Sequence, residues 1–99
     1  MNKLNFFQYQ QEDRRLCFLI ALDQTAGYGA NHFLLRECLA AAGHTASHDQ
    51  VITDGKWLAE QGLVTESKAG DSHIFTLTTR GVDCANGRIV THGVKRPMP

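Results

Sequence analysis

The chain has 99 residues, 42% of them hydrophobic and 20% charged, and its formal net charge is zero. That length gives one small domain with a modest core. The even charge excludes a protein that holds nucleic acid by bulk charge alone, because phosphate neutralisation drives that affinity. No apolar run approaches the roughly 20 residues of a membrane span. The opening MNKLNFFQYQQEDRR has no continuous apolar region, so we expect a cytoplasmic protein without a signal peptide. Cys17, Cys38 and Cys84 are odd in number and widely spaced, with no CxxC pair. Free thiols serving as small core residues are expected.

Residues 1–10 set Leu4, Phe6, Phe7 and Tyr9 in a polar background. A frayed arm and the first turns of a helix both fit, and exposed aromatics there would dock on the body or on a second subunit. Gln11 to Asp23 reads as the first helix, with Leu16, Leu19, Ile20 and Asp23 on one stripe widened by Cys17 and Phe18. Arg14 and Arg15 lie opposite that stripe, as a solvated pair or as phosphate contacts. Thr25 to Ala30 breaks the helix at two glycines, and Tyr28 can add a very short strand.

Asn31 to Ala42 is the second helix, capped by Asn31 and stopped by Gly43. Its expected apolar face is Leu34, Leu35, Cys38, Leu39 and Ala42. Ser47 to Gln61 is the third helix. Ser47 and Gln50 form a capping box, Val51, Ile52, Leu58 and Ala59 face inward with Trp57 at the border, and Gly62 stops it. Gly55 either permits a close crossing or is a weak point. Leu63–Ser67 and Ser72–Thr78 read as strands of an antiparallel hairpin turning at 68–71, with His73, Phe75 and Leu77 on one face. Thr78 or Thr79 caps a last short helix ending at Asn86 or Gly87. Arg88 to Pro99 is basic, with Arg88, Lys95 and Arg96 and no acid. A domain over 1–87 with an N-terminal arm and a flexible basic tail over 88–99 are therefore expected.

A tight helix–turn–helix followed at once by a hairpin is the winged helix-turn-helix, mainly α with a small antiparallel hairpin. The third helix is then the recognition helix and the hairpin the wing. The run Trp57-Leu-Ala-Glu-Gln-Gly-Leu-Val64, with Leu77-Thr-Thr-Arg-Gly81, resembles bacterial winged-helix regulators of the ArsR and MarR kinds. Glu12-Asp-Arg-Arg-Leu16, the central run and Gly93-Val-Lys-Arg-Pro97 together resemble a small winged-helix family of Mu-like prophages, across nearly the whole chain. That resemblance implies a phage-derived cytoplasmic protein labelled a transcriptional regulator. Gly55 departs from it, since a larger apolar residue is expected there.

For DNA binding, the outward side chains of the third helix are expected to be His48, Asp49, Gln50, Thr53, Asp54 and Lys56. His48, Gln50, Thr53 and Lys56 are the candidate readers, since glutamine can pair with adenine and threonine can touch a thymine methyl. Asp49 and Asp54 oppose the phosphates. Wing and backbone contacts are expected from Lys68, Arg14, Arg15, Lys95 and Arg96, with Arg36, Arg80 and Arg88 as further cations. A metal site is not expected: His44 precedes the helix cap, so it does not share a face with His48, and His32, His73 and His92 are scattered. No cofactor motif, glycine-rich phosphate loop, HExxH or GxSxG is present, so an enzyme is not expected. The alternative is a protein-interaction or assembly module for phage DNA packaging or morphogenesis, since fold does not fix function. A homodimer through the N-terminal arm and the first helix fits either reading.

Overall fold

The computed structural model describes residues 3–98. Met1, Asn2, Pro99 and the side chains of Lys3 and Leu4 lie outside the described residues. Helix α1 (Lys3–Asp23) leads through a short 3-10 turn (Ala26–Tyr28) into strand β1 (Gly29–Asn31). Helices α2 (His32–Ala41) and α3 (His48–Glu60) follow, then strands β2 (Val64–Ala69) and β3 (Ser72–Leu77), and last α4 (Thr79–Ala85). The fold is mainly helical with a three-stranded antiparallel sheet in the order β1-β3-β2, consistent with a winged helix.

Each helix after the first starts where its sequence supplies a cap. Asn31 Oδ1 accepts the Leu34 N–H at 2.8 Å, Ser47 Oγ the Gln50 N–H at 3.1 Å, and Thr78 Oγ1 the Gly81 N–H at 3.0 Å. Each bond satisfies one of the donors a helix leaves orphaned at its start. The capping box is only half made, because the Gln50 amide turns inward to Asp54 rather than back to Ser47. At the far ends Gly43 and Gly62 adopt left-handed φ of 94° and 76°. That conformation lets the His44 N–H reach Leu39 O at 2.8 Å and the Leu63 N–H reach Leu58 O at 3.0 Å, closing each helix with a Schellman turn.

Three expectations about extent change. α1 begins at Lys3 rather than Gln11, so the N-terminal segment is helix and not a frayed arm; Phe6, Phe7 and Tyr9 remain exposed on it. β1 pairs with β3 through Gly29↔Thr76, Ala30↔Phe75 and Asn31↔Ile74, which turns the expected hairpin into a sheet. The hairpin itself is tighter than expected: Ala69 pairs with Ser72, leaving Gly70 and Asp71 at the turn.

The core lies between α1, the inner faces of α2 and α3, and the sheet. Phe18, Leu19, Leu22, Leu35, Leu39, Val51, Leu58, Leu63 and Phe75 are fully buried. The Phe18 and Phe75 rings meet edge to face at 5.5 Å, a favoured aromatic geometry. Leu34 and Ala42, expected inside, are exposed. With Cys38 they border an open apolar groove between α1 and α2, with Cys17 and Ile20 of α1 across it.

The tail also departs from expectation. Thr91 and Val94 are buried, and Ile89 packs on the core. The Arg15 guanidinium stacks on Trp57 at 3.7 Å from the ring centroid and donates to Gly93 O at 3.0 Å. The Lys95 N–H donates to Glu12 O at 3.2 Å. The two terminal motifs EDRRL and GVKRP are thus halves of one contact: the first lies on α1, and the second is the strap that docks along it.

Candidate nucleic-acid interface

The α2–α3 pair presents α3 between the N-terminus of α2 and the hairpin. Every fourth or third residue of α3 from Val51 points inward, and the inward set is Val51, Asp54, Gly55 and Leu58. Asp54, expected to face outward, is therefore a core residue at 1% exposure. Its carboxylate accepts from Arg14 Nε at 2.5 Å and Nη2 at 3.1 Å, and from Gln50 Nε2 at 3.1 Å. Burying that carboxylate is tolerated because a fork of donors surrounds it. Arg14 and Gln50 are thereby directed into the protein, not towards a ligand. Arg15 is likewise held, by Trp57 and Gly93.

The solvent face of α3 consists of Asp49, Thr53, Lys56 and Glu60, with His48 half-buried at its start. The Thr53 hydroxyl makes no side-chain hydrogen bond among the described residues. Lys56 Nζ donates to both Glu66 carboxylate oxygens at 3.0 Å, and His73 Nδ1 lies 2.7 Å from Glu66 Oε2. Burial alone would raise the Glu66 carboxyl; the bonds from His73 and Lys56 outweigh it and hold the group below its ordinary range. The Lys56 charge is therefore largely cancelled on the hairpin side. Lys68, Arg80 and Arg96 are exposed with no ion pair among the described residues. Lys68 projects from β2 opposite His73, and Arg96 lines a cavity with Pro97 and Met98 beside Ala85, Asn86 and Gly87. Lys95 pairs with Asp13 at 3.3 Å.

Histidines expected to be scattered in fact converge. His32 lies 5.5 Å from both His48 and His73, ring centroid to centroid, and Phe33 is 5.0 Å from His48. His32 and His48 each follow a cap, so both occupy the first position of a helix of the helix–turn–helix pair. Only the fold brings those two starts together on β3. Arg36 holds the joint by donating to Ala46 O at 2.8 Å, and its Nη1 lies 3.5 Å from His48 Nε2.

The His73 N–H donates to His32 Nδ1 at 3.1 Å, so that nitrogen carries no proton. Burial, then the His48 and His73 rings, push the His32 imidazole below its usual range. A histidine depressed by folding stabilises the protein while neutral. As pH falls through about 6.5 the unfolded chain takes up a proton that the folded chain resists, so stability declines from there down to the folded pKa. Asp13 and Glu66, both held low, titrate below that window. We expect the urea midpoint to drop between about pH 7.5 and 5.5. His32→Asn, whose amide oxygen can accept the His73 N–H, should flatten the drop; an equal drop in that variant would show that His32 is not its source.

His44, in the turn between α2 and α3, has 10% of its side chain exposed and lies 2.6 Å from Asp13 Oδ2. Among the described residues no helix is long and apolar enough to cross a membrane.

With this geometry in view, the relatives are informative. The chain is 47% identical over 88 residues to gp26 of Escherichia phage Mu, covering 89% of this chain and 91% of gp26. The chain belongs to the phage Mu gp26 family. A protein of Haemophilus influenzae is 33% identical over 97 residues, covering 97% of this chain and 94% of its own length; both relatives are uncharacterized. No protein-family profile matches the chain. Among solved structures, RosR of H. salinarum superposes with a TM-score of 0.63 at 20% identity, covering 74% of this chain and 66% of RosR. RosR in its complex with S1 gives 0.65 at 18% identity, covering 80% and 70%. Those likenesses show a shared fold.

Proposed function

We propose that this member of the gp26 family is a winged-helix DNA-binding protein of ArsR/MarR type, acting in the cytoplasm of the phage host as a transcriptional regulator and not as an enzyme. The observation that carries the reading is the free outer face of α3. It is capped by Ser47, anchored from behind by the Arg14–Asp54 pair, and flanked by the exposed Lys68 of the hairpin. In this reading His48 and Thr53 face base edges, and Lys56 does so once a phosphate or base competes with Glu66. Lys68 and Arg96 meet the backbone, joined by Lys95 if it leaves Asp13. Arg14, Arg15 and Gln50 serve by holding α3 in place. The Arg80 side chain, at the start of α4, is a further exposed cation available to a phosphate.

Few free cations mean few phosphate contacts, so affinity is weak and its salt dependence shallow, near −0.9 per phosphate contact. Fluorescence anisotropy on a labelled duplex at low salt is expected to show binding at micromolar protein, with two chains per duplex if the α1 aromatics Phe6, Phe7 and Tyr9 pair two copies. Lys68→Ala should weaken binding on all sequences alike and reduce the salt slope by about 1. No binding at roughly 100 μM protein, where non-specific contacts register, would sink the proposal.

One observation favours a second reading. The Lys56 charge is cancelled by Glu66, while Phe33 stands about half exposed beside His48 at the start of the same helix. A protein-interaction or assembly module would use that mixed surface without reading DNA. It would leave the anisotropy flat and instead retain a phage protein on the immobilised chain.

A further inference from the structure

Outside the α3 face, one cluster gathers three different metal-binding side chains from two separate segments. Asp13 and Cys17 are four apart on α1, so both project from one side of the helix. His44 comes from the turn between α2 and α3, where the Schellman closure of α2 fixes its backbone. Donor atoms of the three lie within 4.8 Å of one another. His44 Nε2 is 2.6 Å and Cys17 Sγ is 4.0 Å from Asp13 Oδ2.

We propose that Asp13, Cys17 and His44 form a site for a borderline-soft divalent ion of the zinc class, with water in the fourth position. The donor set is the argument. Thiolate, imidazole and carboxylate together suit zinc or cobalt and do not suit magnesium or calcium, which take oxygen. Three protein ligands and one open position form a familiar zinc arrangement.

The distances fit with small adjustments. Around a tetrahedral ion with bonds of about 2.0 Å to N and O and 2.3 Å to S, the imidazole nitrogen and carboxylate oxygen stand about 3.3 Å apart. The sulfur and that oxygen stand about 3.5 Å apart. The His44–Asp13 pair opens slightly and Cys17 closes slightly, both by side-chain rotation. His44 is nearly buried, whereas the Asp13 side chain is 36% exposed and leaves an entry path.

Lys95 places a positive charge beside Asp13, its Nζ 3.3 Å from Oδ1. Binding is balanced by one proton. The Cys17 S–H bond breaks, the sulfur bonds the ion, and the proton leaves to water. His44 ligates through Nε2 as the neutral imidazole, which carries its one proton on Nδ1. The ion would tie α1 directly to the turn of the helix–turn–helix.

Titration of the reduced full chain with cobalt(II) tests this. A sulfur-to-cobalt charge-transfer band in the near ultraviolet should grow to saturation at one ion per chain and bleach when zinc is added. Cys17→Ser should abolish the band while keeping the circular dichroism of the parent. Cys84→Ser, which alters a thiol bonded to Thr91 at 3.6 Å in the core, should retain it. His44→Ala should weaken cobalt binding by more than the roughly 10–100-fold that loss of an outer-shell partner costs. Absence of the band in excess cobalt, or its survival in a folded Cys17→Ser variant, overturns the proposal.

Discussion

Replacing Arg14 with alanine is expected to lower the free energy of unfolding by about 3–5 kcal/mol, the cost of stranding one partner of a buried ion pair. The Asp54 side chain is 2% exposed and that of Arg14 15%, so water cannot rescue the carboxylate. Gln50 alone would remain as a side-chain donor to it. Against a total stability of about 5–15 kcal/mol for a domain, this loss brings the chain to the edge of unfolding. Urea denaturation followed by circular dichroism reads the effect directly. The double variant Arg14→Met/Asp54→Leu removes both charges and fills the space, and should regain most of the lost stability. A loss under about 1 kcal/mol in Arg14→Ala would mean the pair behaves as a surface bridge. The pair also separates two roles for Arg14. If it touched phosphate, the double variant would bind DNA less well; if it only anchors α3, the stable double variant binds as the parent does.

The elements of this chain were legible because their signals are local. Asn31, Ser47 and Thr78 each cap a helix within three residues of themselves, Gly43 and Gly62 end helices in the left-handed conformation that glycine reaches without strain, and the alternation of Phe75 and Leu77 marks the inner face of β3. Asp54 was also legible, but its charge argued louder than its spacing. Positions 51, 54, 55 and 58 follow the apolar period of α3, and only the distant Arg14 makes a carboxylate acceptable there. The rest was not legible for a physical reason. His32 and His73 are 41 residues apart, Arg15 and Gly93 are 78 apart, and Asp13 and His44 are 31 apart. No local pattern encodes such meetings. They follow from how α1 lies across the helix pair, and the resemblance that singled out EDRRL and GVKRP marked both halves of a contact without showing that they touch.

Gly55→Ala is expected to destabilise the protein by about 2 kcal/mol, although alanine is the better helix former by about 1 kcal/mol. The sign follows from what lies above the glycine. A Cβ there would run into the Phe75 ring at Cζ, Cε1 and Cε2, well inside ordinary contact. Phe75 cannot swing away, because it is fully buried and set edge to face against Phe18. Overpacking of this kind costs up to about 3 kcal/mol, which outweighs the gain in propensity. Shortening the obstacle should reverse the outcome: in a Phe75→Leu background the same alanine should be close to neutral, an interaction energy of about 2 kcal/mol between two positions in contact. A stabilised Gly55→Ala variant in the native background would show that α3 and β3 are free to separate. The glycine therefore does a positional job. It lets a side chain of the hairpin seat itself against the inner side of α3, so the angle between the hairpin and the exposed face of that helix is set by one ring filling the space of one missing methyl. In the proposed DNA complex that angle fixes how far Lys68 stands from the groove that His48 and Thr53 enter. The Gly55→Ala/Phe75→Leu variant, folded but repacked at this point, should bind DNA with altered affinity even though neither substitution touches the duplex.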